Sequence, residues 1–541
     1  MIKTLYLRIY TKVSQPTRWV FFLAILYPLT FYIPGNSQTS AAILTLDPSQ
    51  ISQTITGWTA VAQIGQNECN GYERYKDEVI QRGVDELGIS RLQLAIPSGM
   101  ENPVDYFGQY LGGQIPFSAY QQHRYEFIND NNDPLTIDTA GFQFTSIDHT
   151  IDNLVLPMKT LLEAKGEKLN VILTYVDFNQ TNIDHGSYPE EYAEYFQAIF
   201  NHIQQKYGWT PDAIEVILEP DVAAWNPSIV ANALVAAGKR LEGNGYSVEF
   251  LAPSTTNMGA ALSWFDGLIQ NPEVLNYLTD ITYHRYSGVS EENLQAIAAR
   301  ATQYNLNTGM LEHIGSGHED LHADLKMGRN SSWAQYALAY CYKEDSGAQH
   351  YWITDLDSAN PVVNFGSRSK YLQQYFRFIR PGAARIGITT DDPLFDPLAF
   401  VNTSGGYVVV TKAGQAGSIS IQGLPAGVYA VTFTTRNEYA TSLPDVLLEE
   451  GSALVASIPA AGVITVAWNS GLPVPTEIPA NPSPIPTQTQ QSTSTDTPPA
   501  APTGIPTSQS APIDAQPPLN LQPTPQLVRP APGCTGRFAK P

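Results

Sequence analysis

The sequence predicts an α/β fold, a (β/α)8 TIM barrel with an appended antiparallel β-sandwich and a disordered Pro/Thr/Ser-rich tail. Three observations carry that prediction. From Gln53 to Pro381, apolar runs of strand type alternate with amphipathic stretches of helical spacing, with about eight strands in all. Beyond Pro381-Gly382 the pattern changes to short alternating runs separated by Gly, Pro, Asn and Asp, as in paired antiparallel strands. From about Gly471 the chain is Pro, Thr, Ser and Gln with few large apolar residues, so burial cannot offset the entropy of ordering.

The elements follow in order. Residues 1–41 read as a signal peptide: Lys3, Arg8, Lys12 and Arg18, then the apolar run 19–32, then the small and polar run 35–42. The apolar part falls short of the roughly 20 residues a spanning helix needs, so export without stable membrane insertion is expected. Residues 42–52 hold a lone strand that joins the sandwich, residues 53–383 the barrel, 384–470 the sandwich and 471–541 the tail, which has no apolar anchor.

Within the barrel, strands are expected at 53–61, 89–97, 169–176, 213–218, 247–252, 280–286, 308–312 and 350–355. Helices are expected at 75–87, 151–165, 189–207, 229–244, 262–269, 291–304, 332–342 and 370–379. Residues 101–149 are polar, aromatic and rich in Asn, Asp, Gly and Gln, which predicts a long functional loop. A doubly wound sheet is the competing topology, but no Gly-rich phosphate turn follows the first strand.

Composition narrows the function. The 541 residues are 43% hydrophobic and 11% aromatic, enough for a large core, and 51 acidic against 30 basic side chains give a formal net charge of −21. That charge repels nucleic acid and anionic membrane and suits a secreted or cell-surface protein that handles neutral ligands. Cys69, Cys341 and Cys534 are too few for a disulfide framework or a sulfur-ligated zinc site, though a Cys69–Cys341 bridge is compatible with the count.

The chemistry sits at strand ends. The apolar run from Ala213 closes on Glu219, and Pro220 stops the ladder because it has no N–H to donate. A second run closes on Glu312. If the strands close in order, these acids end the fourth and seventh and face one barrel mouth, where such enzymes keep their catalytic groups. A retaining glycosidase needs two carboxyls about 5–5.5 Å apart. Glu312 would be the nucleophile and Glu219 first acid, then base. Arg91 and Tyr286 are candidate donors to the nucleophile, and Trp58, Trp225 and Trp352 candidate floors for a sugar ring.

Gln53-Thr-Ile-Thr-Gly57, Arg91, Glu219-Pro220, His284-Arg-Tyr286, Glu312, Trp352 and the run from Tyr371 to Gly387 together resemble clan A glycoside hydrolases, most of all glycoside hydrolase family 30. The resemblance covers residues 42–470 in patches. It implies a barrel with a β-sandwich to which the first strand contributes, a carbohydrate substrate, no cofactor and no catalytic metal. One position departs. The family usually has Asn directly before the acid/base, where its amide contacts the sugar 2-hydroxyl, and Leu218 stands there. Either Asp221, Asn226 or another group makes that contact, or the substrate differs around that carbon.

Two other readings are open to test. His318-Glu-Asp-Leu-His322 spells a zinc-peptidase motif, with Glu344 as a conceivable third ligand and Glu319 as base. A non-catalytic carbohydrate-binding barrel is the other.

Overall fold

The computed structural model describes residues 41–178 and 184–469. The expected signal peptide, tail and Cys534 lie outside those residues. Strand β1 (Ala42–Thr54) comes first and β2 (Gly57–Val61) opens the barrel. It continues with β3 (Arg91–Pro97), β4 (Asn170–Val176), β5 (Ala213–Glu215), β6 (Glu249–Asn257), β7 (Leu278–Ser287), β8 (Asn307–Glu312) and β9 (Ser332–Tyr340). These strands pair in parallel in chain order, and β9 closes the ring by pairing with both β8 and β2. Their near-continuous apolar sequences fit strands covered on both faces, by side chains within and helices without.

The eighth barrel strand is not where the sequence suggests. Residues 332–342 read as a helix, but Ser332–Tyr340 is β9, buried at most positions. The run around His350 is β10 (Gln349–Thr354), which lies outside the ring. It pairs in parallel with the end of β9 and antiparallel with β11 (Val362–Phe365). A strand buried on both faces shows no alternation, so periodicity alone cannot separate it from a buried helix.

The 101–149 segment is also more ordered than a loop. It holds helices Tyr106–Leu111, Phe117–His123 and Thr145–Thr150, and Asp105 caps the first by accepting from the Gly108 amide at 2.7 Å. Phe107 gathers Tyr110 and Tyr120 around itself. Short polar helices of this kind are held by tertiary packing, which local propensity does not reveal.

The β domain contains β12 (Ala384–Thr390), β13 (Phe395–Val401), β14 (Tyr407–Ala413), β15 (Gly417–Gln422), β16 (Gly427–Thr435), β17 (Thr441–Leu448), β18 (Leu454–Ile458) and β19 (Gly462–Trp468). Hydrogen bonding runs through nine strands in the order β17-β16-β19-β14-β13-β12-β1-β15-β18. The sheet is antiparallel except where β1 meets β15. Alternating side chains such as Tyr429, Val431 and Phe433 fill its core.

Helix Ser369–Phe376 docks this sheet on the barrel. The Gln374 amide donates to Thr434 Oγ1 at 3.0 Å, and its carbonyl oxygen Oε1 accepts from Thr432 Oγ1 at 2.9 Å. Cys69, after β2, is bonded to Cys341, after β9, and so ties together the first and last strands of the ring. Among the described residues no helix is long and apolar enough to cross a membrane.

Candidate active site

The chain past β5 keeps strand-like register with its neighbours. The Leu218 amide donates to Tyr175 O at 2.9 Å and the Glu219 amide to Ser254 O at 3.2 Å. Glu219 then takes a left-handed backbone, φ 53°, and Pro220 ends the pairing. That turn leaves the carboxylate at the carboxyl end of the ring. Glu312 is the last residue of β8, in register with His284 of β7. His284 and Tyr286, two apart on β7, share a face.

These four side chains meet. One carboxylate oxygen each of Glu219 and Glu312 and a ring nitrogen of His284 all lie within 4.8 Å of one another. His284 Nδ1 is 3.0 Å from Glu219 Oε1, and the Tyr286 hydroxyl donates to Glu312 Oε1 at 2.7 Å. Glu312 is 9% exposed, and burial pushes its carboxyl up to about 7. The charge of Glu219 adds to that push, while His284 and the Tyr286 hydrogen bond oppose it. The Tyr286 phenol is raised far above its ordinary value by burial and by Glu312, so it stays a donor.

A third acid underlies the pair. Glu215, fully buried on β5, accepts from the Gln93 amide and from Thr174 Oγ1 at 2.8 Å, and its Oε1 is 4.0 Å from His284 Nε2. Burial works against a charge on the His284 ring, but the surrounding carboxylates outweigh it and raise its pKa. The imidazole therefore stands between two acids and takes its orientation from both. Sequence reasoning assigned no role to Glu215, because it lies inside the apolar run and not at its end. Tyr336 on β9 was missed as well, although its phenol is raised by burial and by Glu312.

Several expected site residues lie elsewhere or do other work. Arg91 begins β3, at the opposite end of that strand from Pro97, and is fully buried. It donates to Thr56 Oγ1, and the acids that act on it are Asp280, Glu249 and Asp212. Trp58 is core: its indole N–H donates to Ile379 O at 2.7 Å, and its ring stacks on Phe376 at 4.6 Å. Trp225 is 6% exposed and packs on Tyr175 and Tyr192, so only Trp352 of the three keeps a partly exposed surface.

Asp221 spends both oxygens on β6, accepting from the Thr256 amide at 2.8 Å and its hydroxyl at 2.6 Å. Asn226 caps helix Pro227–Gly243.

The zinc motif forms a helix, His318–Lys326, but not a metal centre. His322 is buried, with Nδ1 2.9 Å from the Tyr375 hydroxyl and Nε2 3.3 Å from Asp396. Glu319 pairs with Lys412 at 2.7 Å, and Glu344 is exposed. Among the described residues, neither histidine belongs to a cluster of three or more converging ligands. The motif instead fastens the barrel to β13 and β14.

Searched against family models and against curated proteins, the chain finds no match. Solved structures do match. A family 30 endoxylanase from Clostridium papyrosolvens superposes with a TM-score of 0.56 at 17% identity, covering 79% of this chain and all of that one. The family 30 subfamily 8 xylanase of Clostridium acetobutylicum gives 0.57 at 14%, covering 79% and 99%. An endo-β-1,6-glucanase gives 0.55 at 15%, covering 79% and 94%. The chain has the fold of glycoside hydrolase family 30. The barrel with an appended β domain agrees with what the sequence resemblance implied.

Proposed function

We propose that the protein is a retaining β-glycosidase that hydrolyses O-glycosidic bonds of a glycan or glycoside by double displacement. One observation carries the proposal: the convergence of Glu219 and Glu312, with oxygens no more than 4.8 Å apart, at one end of the barrel. Retaining pairs stand about 5–5.5 Å apart and inverting pairs about 6.5–9.5 Å, so the spacing supports direct attack over water activation.

Glu312 attacks the anomeric carbon while Glu219 protonates the departing oxygen, and a glycosyl ester forms on Glu312 as the glycosidic bond breaks. Water enters next. Glu219 takes its proton, the oxygen bonds to the anomeric carbon, and the Glu312 carboxylate leaves with its electron pair. Tyr286 steadies the charge on Glu312, and His284 fixes the orientation of Glu219. Export is part of the proposal, supported by the Cys69–Cys341 disulfide, which persists in oxidising compartments.

A screen of chromogenic β-glycosides and polysaccharides tests the activity, with Glu312→Gln as blank. The variant is expected to lose turnover by about 10⁴-fold or more while still binding glycan. Equal turnover in the variant removes Glu312 as the nucleophile, and binding without hydrolysis in the parent protein rejects the enzyme reading in favour of a carbohydrate-binding barrel.

A further inference from the structure

Outside the Glu219–Glu312 pair, a second set of acids converges with more carboxylates than facing cations. One oxygen each of Glu101, Asp130 and Glu191 lie within 4.8 Å of one another. Glu101 follows β3, Asp130 belongs to the Asn129-Asp-Asn-Asn-Asp133 run, and Glu191 lies in the first turn of helix Pro189–Tyr207. Glu194 lies three residues further along the same helix, on the face that carries Glu191. Burial is deep: Glu101 is 0%, Glu194 1% and Glu191 7% exposed.

Some of these oxygens are satisfied. Glu101 accepts from the Asp130 amide at 3.0 Å and faces His185 Nε2 at 2.8 Å. Asp130 Oδ2 accepts from the Asp138 amide at 2.5 Å and Glu191 Oε1 from Asn129 at 3.3 Å. The remaining oxygens are not. Among the described residues, Asp130 Oδ1, Glu191 Oε2 and both oxygens of Glu194 are buried without a hydrogen-bond partner. Among the described residues, the ion pairs to the set are His185 with Glu101 and Arg240, 4.0 Å from Glu194.

Unpartnered, desolvated carboxylate oxygens aimed at one another require a positive charge between them or a shared proton. From this we propose that Glu101, Asp130, Glu191 and Glu194 bind a hard divalent cation, Ca2+, which staples the segment after β3 to the helix after β4. The donor set is all oxygen, because both ring nitrogens of His185 are already engaged, by Glu101 and by Tyr175. Ca2+ takes 6–8 oxygens at 2.3–2.6 Å, and oxygens bound to one ion then lie up to about 5 Å apart, as here. A donor set made of several carboxylates suits Ca2+ better than Mg2+, which keeps rigid octahedral geometry and most of its water. The site lies at the carboxyl end of β3, the end of the barrel that carries Glu219 and Glu312. Bound Ca2+ would fix the wall that the 101–142 segment builds there.

The full chain, stripped with chelator and titrated with CaCl2 alone, tests this by calorimetry and thermal unfolding, neither of which depends on glycosidase activity. One Ca2+ per chain is expected to bind, raising Tm by several degrees at a hundredfold excess over Kd, with a smaller response to Mg2+. Asp130→Asn, at a half-buried position that tolerates change, and Glu194→Gln should each weaken binding about tenfold or more and shrink the Tm response. If Glu194→Gln does not fold, Asp130→Asn alone decides. No heat and no Tm response in the parent protein, as expected if Glu191 and Glu194 merely share a proton, overturns the proposal. So does a response that survives Asp130→Asn.

Discussion

In the proposed mechanism Glu312 faces two opposed demands: burial favours its protonated form, and nucleophilic attack needs the ionised one. The structure resolves them through its neighbours. Burial raises Glu312 to about 7, and His284 and the Tyr286 hydrogen bond oppose that rise by favouring its charge. Removing the Tyr286 donor with Tyr286→Phe raises the Glu312 pKa further, so its ionised fraction falls at higher pH. The acid limb of the kcat/KM profile should move up by roughly one to two units, since a hydrogen bond to a charged group contributes about 1.5–3 kcal/mol and one unit is about 1.36 kcal/mol. An unmoved limb would show that Tyr286 does not govern the charge. The legible acids were those that ended an apolar run; Glu215 was not, because a barrel interior reverses what alternation normally says about a polar residue on a strand.

At the scale of elements, position along a strand separates chemistry from support. Arg91 and Trp58 looked like site residues because each lies near a strand end. A sequence does not say which end faces the ligand until the direction of the ring is known, and Arg91 begins its strand while Glu312 finishes its own. Trp58 is a packing residue whose hydrogen bond and stacking fasten β2 to the closing helix region. Trp58→Ala should therefore cost about 3–5 kcal/mol of stability, read as a lower denaturation midpoint, with KM unchanged in the folded fraction. A raised KM with little loss of stability would return Trp58 to the sugar site. The eighth strand was hidden for a related reason: fully covered β9 carries no two-residue period, so the neighbouring β10 took its place in the count.

For the whole molecule, closure of the ring is what brings two distant acids together, and three devices maintain it. β9 pairs with both β8 and β2, the Cys69–Cys341 bond spans a separation of 272 residues, and the β domain clamps the outside through Gln374 and the His318–Lys326 helix. Reducing the disulfide, or replacing both cysteines with serine, should lower stability by about 2–5 kcal/mol without abolishing activity, measured as parallel unfolding curves. Unchanged stability would mean that strand pairing alone closes the ring. The alternation of strands and helices made this architecture legible, as did the change of period after Pro381. The docking role of the His318–His322 run was not, because the Asp396 and Lys412 partners that define it belong to another domain.

The most direct test of the account is mass spectrometry of the protein treated with a 2-deoxy-2-fluoro β-glycoside, a reagent that slows breakdown of a glycosyl ester, matched to the sugar that the chromogenic screen identifies. The account predicts a mass gain of one fluoroglycosyl unit on the peptide carrying Glu312, absent in Glu312→Gln. A stable adduct on another acid, or hydrolysis with inverted anomeric configuration and no adduct, would contradict it.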